Sequence, residues 1–101
     1  MSDIRLPSEK EFQLLALTTA ERTGRDIAKL YKRAAGRSIS YGTLYPTLRR
    51  LVDAGWVRSR DDVNEAGRIK WFLITGEGRR TLESAREHYE RLSRFGACHG
   101  A

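Results

Sequence analysis

The densest run of chemically useful side chains lies between residues 40 and 50, SYGTLYPTLRR. It gathers the hydroxyls of Ser40, Tyr41, Thr43 and Tyr45, the small Gly42, the imino acid Pro46 and the guanidiniums of Arg49 and Arg50. Hydroxyls and guanidiniums donate to phosphate oxygens, and an arginine fork also matches the major-groove edge of guanine. No nucleophile is paired with a base here, so the chemistry on offer is recognition rather than bond breaking. A second set of cations follows at Arg58, Arg60, Arg68 and Lys70. Together the two sets suit a polyanion.

The charge distribution agrees. The chain has 101 residues and a formal charge of +6. Residues 22–75 hold twelve Lys or Arg against five acids, a balance of +7, whereas residues 1–21 hold two against four and residues 76–101 five against four. Phosphate binding needs its cations concentrated, because affinity grows with the number of phosphates neutralised together. Metal and catalytic sites find little support. His88 and His99 both lie near the end with no spaced ligand set, and Gly24 and Gly76-Glu77-Gly78 precede no Gly-Lys-Ser/Thr. No metal and no cofactor is expected, and no enzyme. The lone Cys98 excludes an internal disulfide and fits a reducing compartment. With no apolar run of membrane length and no opening signal peptide, the reading is a cytoplasmic, nucleoid-associated protein without membrane contact.

The elements that must position these residues follow from period and caps. Ser8 and Glu11 form a capping box before Phe12, Leu14, Leu15, Ala16 and Leu17, whose apolar positions spread around much of a helix. Ile27, Leu30, Tyr31 and Ala34 make one face of a helix from about Thr23 to Ala35, stopped by Gly36. Ser40 caps a third helix to about Ala54, closed by Gly55, with Leu44, Leu48, Leu51 and Val52 inward and Tyr41 turned toward the core side. Pro46 should remove one backbone bond and bend that helix near its start. Trp56–Arg60 and Arg68–Thr75 read as two strands, with the polar stretch Asp61–Gly67 as the hairpin tip. Thr75 caps a last helix to about Phe95, on which Leu82, Ala85, Tyr89 and Leu92 are spaced 3, 4, 3 as one narrow seam.

A single short chain buries only about two-thirds of its unfolded surface, so self-association through that seam is the favoured expectation. The order is mainly α with a small β-hairpin, a winged helix-turn-helix (α-α-α-β-β-α) in which a recognition helix enters the major groove beside a cationic wing. Residues 1–75 form the winged domain, and residues 76–101 the C-terminal dimerisation helix with a short tail. The expected partners are double-stranded DNA and a second copy of the chain. Two alternatives stand beside this: a winged-helix module that binds protein, and a regulator sensing a planar aromatic effector through Trp56 or Trp71 at the dimer interface.

SYGTLYPTLRRLVDAGWV resembles the recognition-helix signature of PadR-like transcriptional regulators, a Gly-Thr-Leu-Tyr-Pro run before leucines and an acidic-Gly turn. AGRIKWFLITGEGRRTL is similar to that family's wing and its entry into the last helix. The resemblance implies a homodimeric winged-helix regulator, usually a repressor on a pseudo-palindromic operator, dimerising through its first and last helices. It carries DNA contact to Gly42, Thr43, Tyr45 and Pro46, and makes Leu44 core. To these the residue pattern adds Ser40, Tyr41, Arg49, Arg50, Arg58, Arg68 and Lys70, while Phe12, Leu15, Leu82, Ala85, Tyr89 and Leu92 are the expected dimer residues. Thr23-Gly24-Arg25 stands where the family usually has His-Gly-Tyr, and the expectation is the family's short subgroup, without a long C-terminal dimer domain.

Overall fold

Ser8 opens the first helix as its spacing requires: its hydroxyl accepts from the Glu11 N–H at 3.2 Å, and a Glu11 carboxylate oxygen accepts from the Ser8 N–H at 2.9 Å. The computed structural model describes residues 5–99, with side chains to residue 95, so those of Cys98 and His99 lie outside the described residues. In chain order the elements are α1 (Glu9–Ala16), β1 (Arg22–Thr23), α2 (Gly24–Ala35), α3 (Tyr41–Asp53), β2 (Val57–Asn64), β3 (Gly67–Ile74) and α4 (Gly76–His99). The three strands form one antiparallel sheet in the order β1-β3-β2.

Helix ends sit where hydroxyls and glycines allow. Thr23 caps α2 by accepting from the Asp26 N–H at 3.1 Å, and Ser40 caps α3 by accepting from Thr43 at 3.2 Å. Gly55, at φ +83°, ends α3. Its N–H donates to Val52 O and that of Trp56 to Leu51 O, both at 3.0 Å, which closes a Schellman turn. The Thr75 hydroxyl then joins the two halves of the molecule. It donates to Gly55 O at 2.7 Å and accepts from the Gly78 N–H at 2.9 Å, fixing the start of α4 to the end of α3.

The core lies between α1, α2, α3 and the base of the sheet. Leu14, Leu15, Ile27, Leu44, Leu48 and Leu51 are fully buried, and Trp56, Val57, Phe72, Ile74 and Leu82 close the cluster. Truncating any one of the leucines to alanine costs about 2–5 kcal/mol in sites of this kind.

Several expectations need correction. Trp56 is a core residue before the strand, not its first residue, and β2 runs on through Asp61–Asn64. The hairpin tip is only Glu65-Ala66, with the Asn64 side-chain oxygen accepting from the Ala66 N–H at 2.9 Å. Pairing against β3 holds this polar stretch extended: Asp61 faces Lys70 and Asp62 faces Ile69. β1 has no expected counterpart. Arg22 and Thr23 pair with Phe72 and Trp71, adding a third strand at the foot of α2. The seam on α4 divides in two. Leu82 and Ala85, like Leu15 on α1, are buried within the single chain, Tyr89 is half-buried and Leu92 is exposed. Tyr89 stacks on Phe12 with ring centroids 5.0 Å apart and donates to Pro7 O at 2.9 Å.

Candidate nucleic-acid interface

The periodicity of α3 separates its faces cleanly. Leu44, Thr47, Leu48 and Leu51 are buried, while Ser40, Gly42, Thr43, Tyr45, Pro46, Arg49 and Arg50 are exposed. Tyr41 is also exposed, at 54%, which corrects its expected turn toward the core. As the first helical residue it stands beyond the packed surface, and its ring meets Tyr45 edge-on at 5.6 Å.

Tyr45 owes its place to a residue on another helix. A Cβ at Gly24, the first residue of α2, would stand 2.4 Å from the Tyr45 hydroxyl and 2.7 Å from two ring carbons. The absence of that atom lets the ring lie on the α2 backbone, so Gly24 serves side-chain placement and not a phosphate loop. Glycine at 24 was visible in the sequence, but its partner was not.

The two arginines of α3 differ. Arg49 lines a cleft of about 400 Å³ between α3 and the hairpin, together with Tyr45, Val52, Asp53, Ser59, Lys70 and Phe72. Arg50, its side chain still 54% exposed, reaches across to α1: its Nε donates to Glu11 Oε2 and its Nη2 to Thr47 Oγ1, both at 3.1 Å. Glu11 is only 3% exposed. Burial alone would push its carboxyl up, but the Ser8 N–H and the guanidiniums of Arg50 and Arg5 outweigh this and hold it below the usual glutamate range. Arg50 thus neutralises a buried charge, a partner 39 residues away that helical spacing does not reveal.

The hairpin cations all reach the surface, yet most have acidic neighbours. Lys70 lies 3.2 Å and Arg68 4.0 Å from Asp61. Arg60 makes a two-pronged contact with Glu21 at 2.8 and 2.9 Å and lies 5.4 Å over the Trp71 ring. Its hydrogen bonds lower the Glu21 carboxyl and raise the guanidinium in turn. Arg58 is exposed on β2. A further set lies outside the expected site: Arg25, Lys29, Lys32 and Arg33 are all exposed on α2, opposite its buried Ile27 and Tyr31. The positive balance of residues 22–75 was the signal for them.

Among the described residues no group of three His, Cys, Asp or Glu is placed to hold a metal ion, and no helix is long and apolar enough to cross a membrane. What the arrangement offers is a helix N-terminus with small and hydroxylic residues, flanked by cations on two sides. Such a surface can take phosphates and base edges.

Known structures place this geometry. A PadR family transcriptional regulator from Eggerthella lenta superposes with a TM-score of 0.81 at 25% identity, covering 87% of this chain and 78% of that one. One from Clostridium difficile gives 0.80 over 93% of this chain and all of that one, with 20% identity, a likeness of fold alone. Bacillus subtilis PadR, solved in complex with operator DNA, gives 0.68 at 25% identity over 75% of this chain and 45% of that one. No curated protein matches the chain. The model of the PadR-like transcriptional regulators matches residues 14–84, from the first buried leucines through the hairpin to the start of α4, and the chain belongs to that family.

Proposed function

We propose that this PadR-like regulator binds double-stranded DNA sequence-specifically as a homodimer and represses transcription by occupying a pseudo-palindromic operator. The observation that carries the reading is the exposed N-terminal half of α3, where Ser40, Tyr41, Gly42, Thr43, Tyr45 and Pro46 stand clear of the core beside a cationic hairpin. In this reading α3 enters the major groove and Arg49, across the cleft from Lys70, holds backbone or reads guanine. Arg58, Arg68 and Lys70 take flanking phosphates. Arg50 is set aside from base reading by its bond to Glu11. The B. subtilis relative solved with operator DNA supports this use of the fold.

The dimer is formed by the outer parts of α1 and α4. Phe12, Tyr89 and Leu92 line the shared face, and the buried Leu15, Leu82 and Ala85 support it from within. At 24 residues α4 is about 36 Å long, enough to extend past its own domain. Residues beyond Tyr89 act as the dimerisation arm.

Selection of binding sites from genomic fragments, followed by titration across salt concentrations, tests the reading. The expected result is a two-fold site with half-sites about 34–36 Å apart, or a multiple of that. If six phosphates are neutralised, log K falls with log salt at a slope of about −5. Retention that is blind to sequence would overturn it in favour of a protein-binding winged helix.

A second reading adds an effector. Trp71 Nε1 is buried without a hydrogen-bond partner among the described residues, a donor a ligand could satisfy. Quenching of tryptophan fluorescence by planar aromatics that also release DNA is the expected sign, and no response across a panel removes this reading.

A further inference from the structure

Pro46 leaves α3 weakest where it must be most exact. A proline has no N–H, so the carbonyl of Gly42, four residues earlier, loses its helical partner inside the turn that stands at the exposed face. That turn carries the exposed Gly42, Thr43 and Tyr45 around the buried Leu44, and only Tyr45 among the three has a seat, on the α2 backbone at Gly24. A single chain of side-chain bonds spans the weak point from the other side of the helix. Glu11, buried in α1, accepts from Arg50 Nε at 3.1 Å. Arg50 Nη2 donates to Thr47 Oγ1 at 3.1 Å, and Thr47 Oγ1 donates to Thr43 O at 2.7 Å. Thr43 Oγ1 in turn accepts from the Ser40 hydroxyl at 3.2 Å, where the helix begins. Thr47 is 1% exposed and Glu11 3%, so both ends of the link are buried, while the Arg50 side chain that joins them is 54% exposed. The other Glu11 oxygen accepts from the Ser8 N–H at 2.9 Å and from Arg5 at 3.2 Å, so both carboxylate oxygens are engaged.

We propose that Glu11, Arg50 and Thr47 form a brace that fixes the proline-weakened first turns of α3 to α1, making Arg50 and Thr47 positioning residues for DNA reading and not DNA contacts. The proposal rests on the DNA-binding reading above. It also gives α1 a mechanical line to the reading turn, since the brace ends in the capping box that starts that helix.

Four substitutions in the 101-residue chain test it: Thr47→Val, which removes the hydroxyl; Thr47→Ser, which restores it; Arg50→Lys, which keeps the charge but not the fork; and Arg50→Ala, which removes both. Affinity for the selected operator, affinity for unrelated duplex, the salt slope and amide exchange at residues 44–48 are measured for each. Thr47→Val and Arg50→Lys are expected to weaken operator binding by about two- to thirtyfold, the range of coupling carried by residues that touch no ligand. Unrelated duplex and the salt slope stay unchanged, exchange at 44–48 quickens, and Thr47→Ser recovers both. Full operator affinity in Arg50→Lys, combined with a slope reduced by about one in Arg50→Ala, would make Arg50 a phosphate contact and overturn the brace. Lower melting temperature with unaltered operator affinity and exchange would reduce it to ordinary packing and also overturn it. Failure of the unmodified chain to prefer any sequence defeats the DNA-binding reading instead, while exchange in the variants still reports whether the brace holds the turn.

Discussion

The helical half of the surface and the hairpin are both basic by inspection, but they hold their charge differently. Residues 24–53 carry Arg25, Lys29, Lys32, Arg33, Arg37, Arg49 and Arg50 against Asp26 and Asp53. Residues 57–74 carry Arg58, Arg60, Arg68 and Lys70 against Asp61, Asp62 and Glu65, and Glu21 reaches in to take Arg60. Arg60, Arg68 and Lys70 must therefore exchange an acidic neighbour for a phosphate, and the gain is only the difference between two solvent-screened ion pairs. Among the described residues the α2 cations form no ion pair, so they give up water instead. The excess charge that draws a polyanion lies on the helices, and the wing contributes reach more than field.

The comparison holds only if the two regions keep their relative placing, and one close contact does most to fix it. A Cβ at Gly78 would stand 2.0 Å from Trp56 O and 2.8 Å from Ile74 Cγ1. Because the obstacle is backbone, no rotamer change can relieve it. Gly78→Ala is expected to be the most damaging of the glycine substitutions, costing about 3 kcal/mol or more, with a melting temperature lowered by about 12 °C or more for a domain of this size. A melting point within a few degrees of the unmodified chain would show that α4 can slide on the hairpin base, and the fixed geometry would fail.

Next in size is the buried carboxylate that anchors the helical half. A carboxyl held below its unfolded value stabilises the fold while ionised. Glu11's contribution is thus complete above the ordinary glutamate value of about 4.3 and is lost as pH falls through its lowered folded value. Glu11→Gln leaves Arg50 facing a neutral amide and should cost about 2 kcal/mol at neutral pH, with a shallower loss of stability on acidification. Urea titrations at neutral pH and near pH 3 read both. Equal acid sensitivity in the two proteins would place the titrating group elsewhere.

What could be read from the sequence divides along similar lines. Ser40, Gly55 and the leucines between them define α3 through local rules, so its bounds needed only caps and period. The strand through Asp61–Asn64 is polar and locally unremarkable; it is extended because β3 pairs with it. β1, two residues long, exists only through its register with Trp71 and Phe72. Arg49 and Arg50 look equivalent in a helical projection, and only the fold sets Arg50 against Glu11. The 3, 4, 3 spacing on α4 correctly marks an apolar stripe, but spacing does not say what covers it: its own domain takes Leu82 and Ala85 and leaves Leu92 exposed. Contacts between residues distant in sequence account for each of these gaps.

Removing charge in pairs separates the helical cations from those of the hairpin. Arg25→Ala with Lys29→Ala should lower the steepness of the salt dependence by about two and weaken binding to every sequence alike, by roughly tenfold at moderate salt. Arg68→Ala with Lys70→Ala removes the same formal charge, yet frees Asp61 from both partners, and should change the slope by about one or less. Equal slopes for the two pairs would mean that the hairpin acids play no part and that formal charge alone governs the interface.

The smallest expected effect sits where the helices meet. Gly24→Ala places a methyl group where the Tyr45 ring now lies, but the obstacle is the far end of a side chain that can rotate away. At the first position of a helix, alanine is no worse than glycine for the backbone, so folding stability should change by about 0.5 kcal/mol or less. Operator affinity should fall by a few-fold, because Tyr45 leaves its seat and its hydroxyl no longer points where the fold placed it. Tyr45→Phe in the same background separates placement from contact. If the hydroxyl works only from its seat on Gly24, its removal weakens the unmodified protein and leaves Gly24→Ala unchanged, a non-additivity that binding titrations of the four proteins would resolve. Additive losses would show that the ring finds the duplex from either position, and that the glycine is indifferent to recognition.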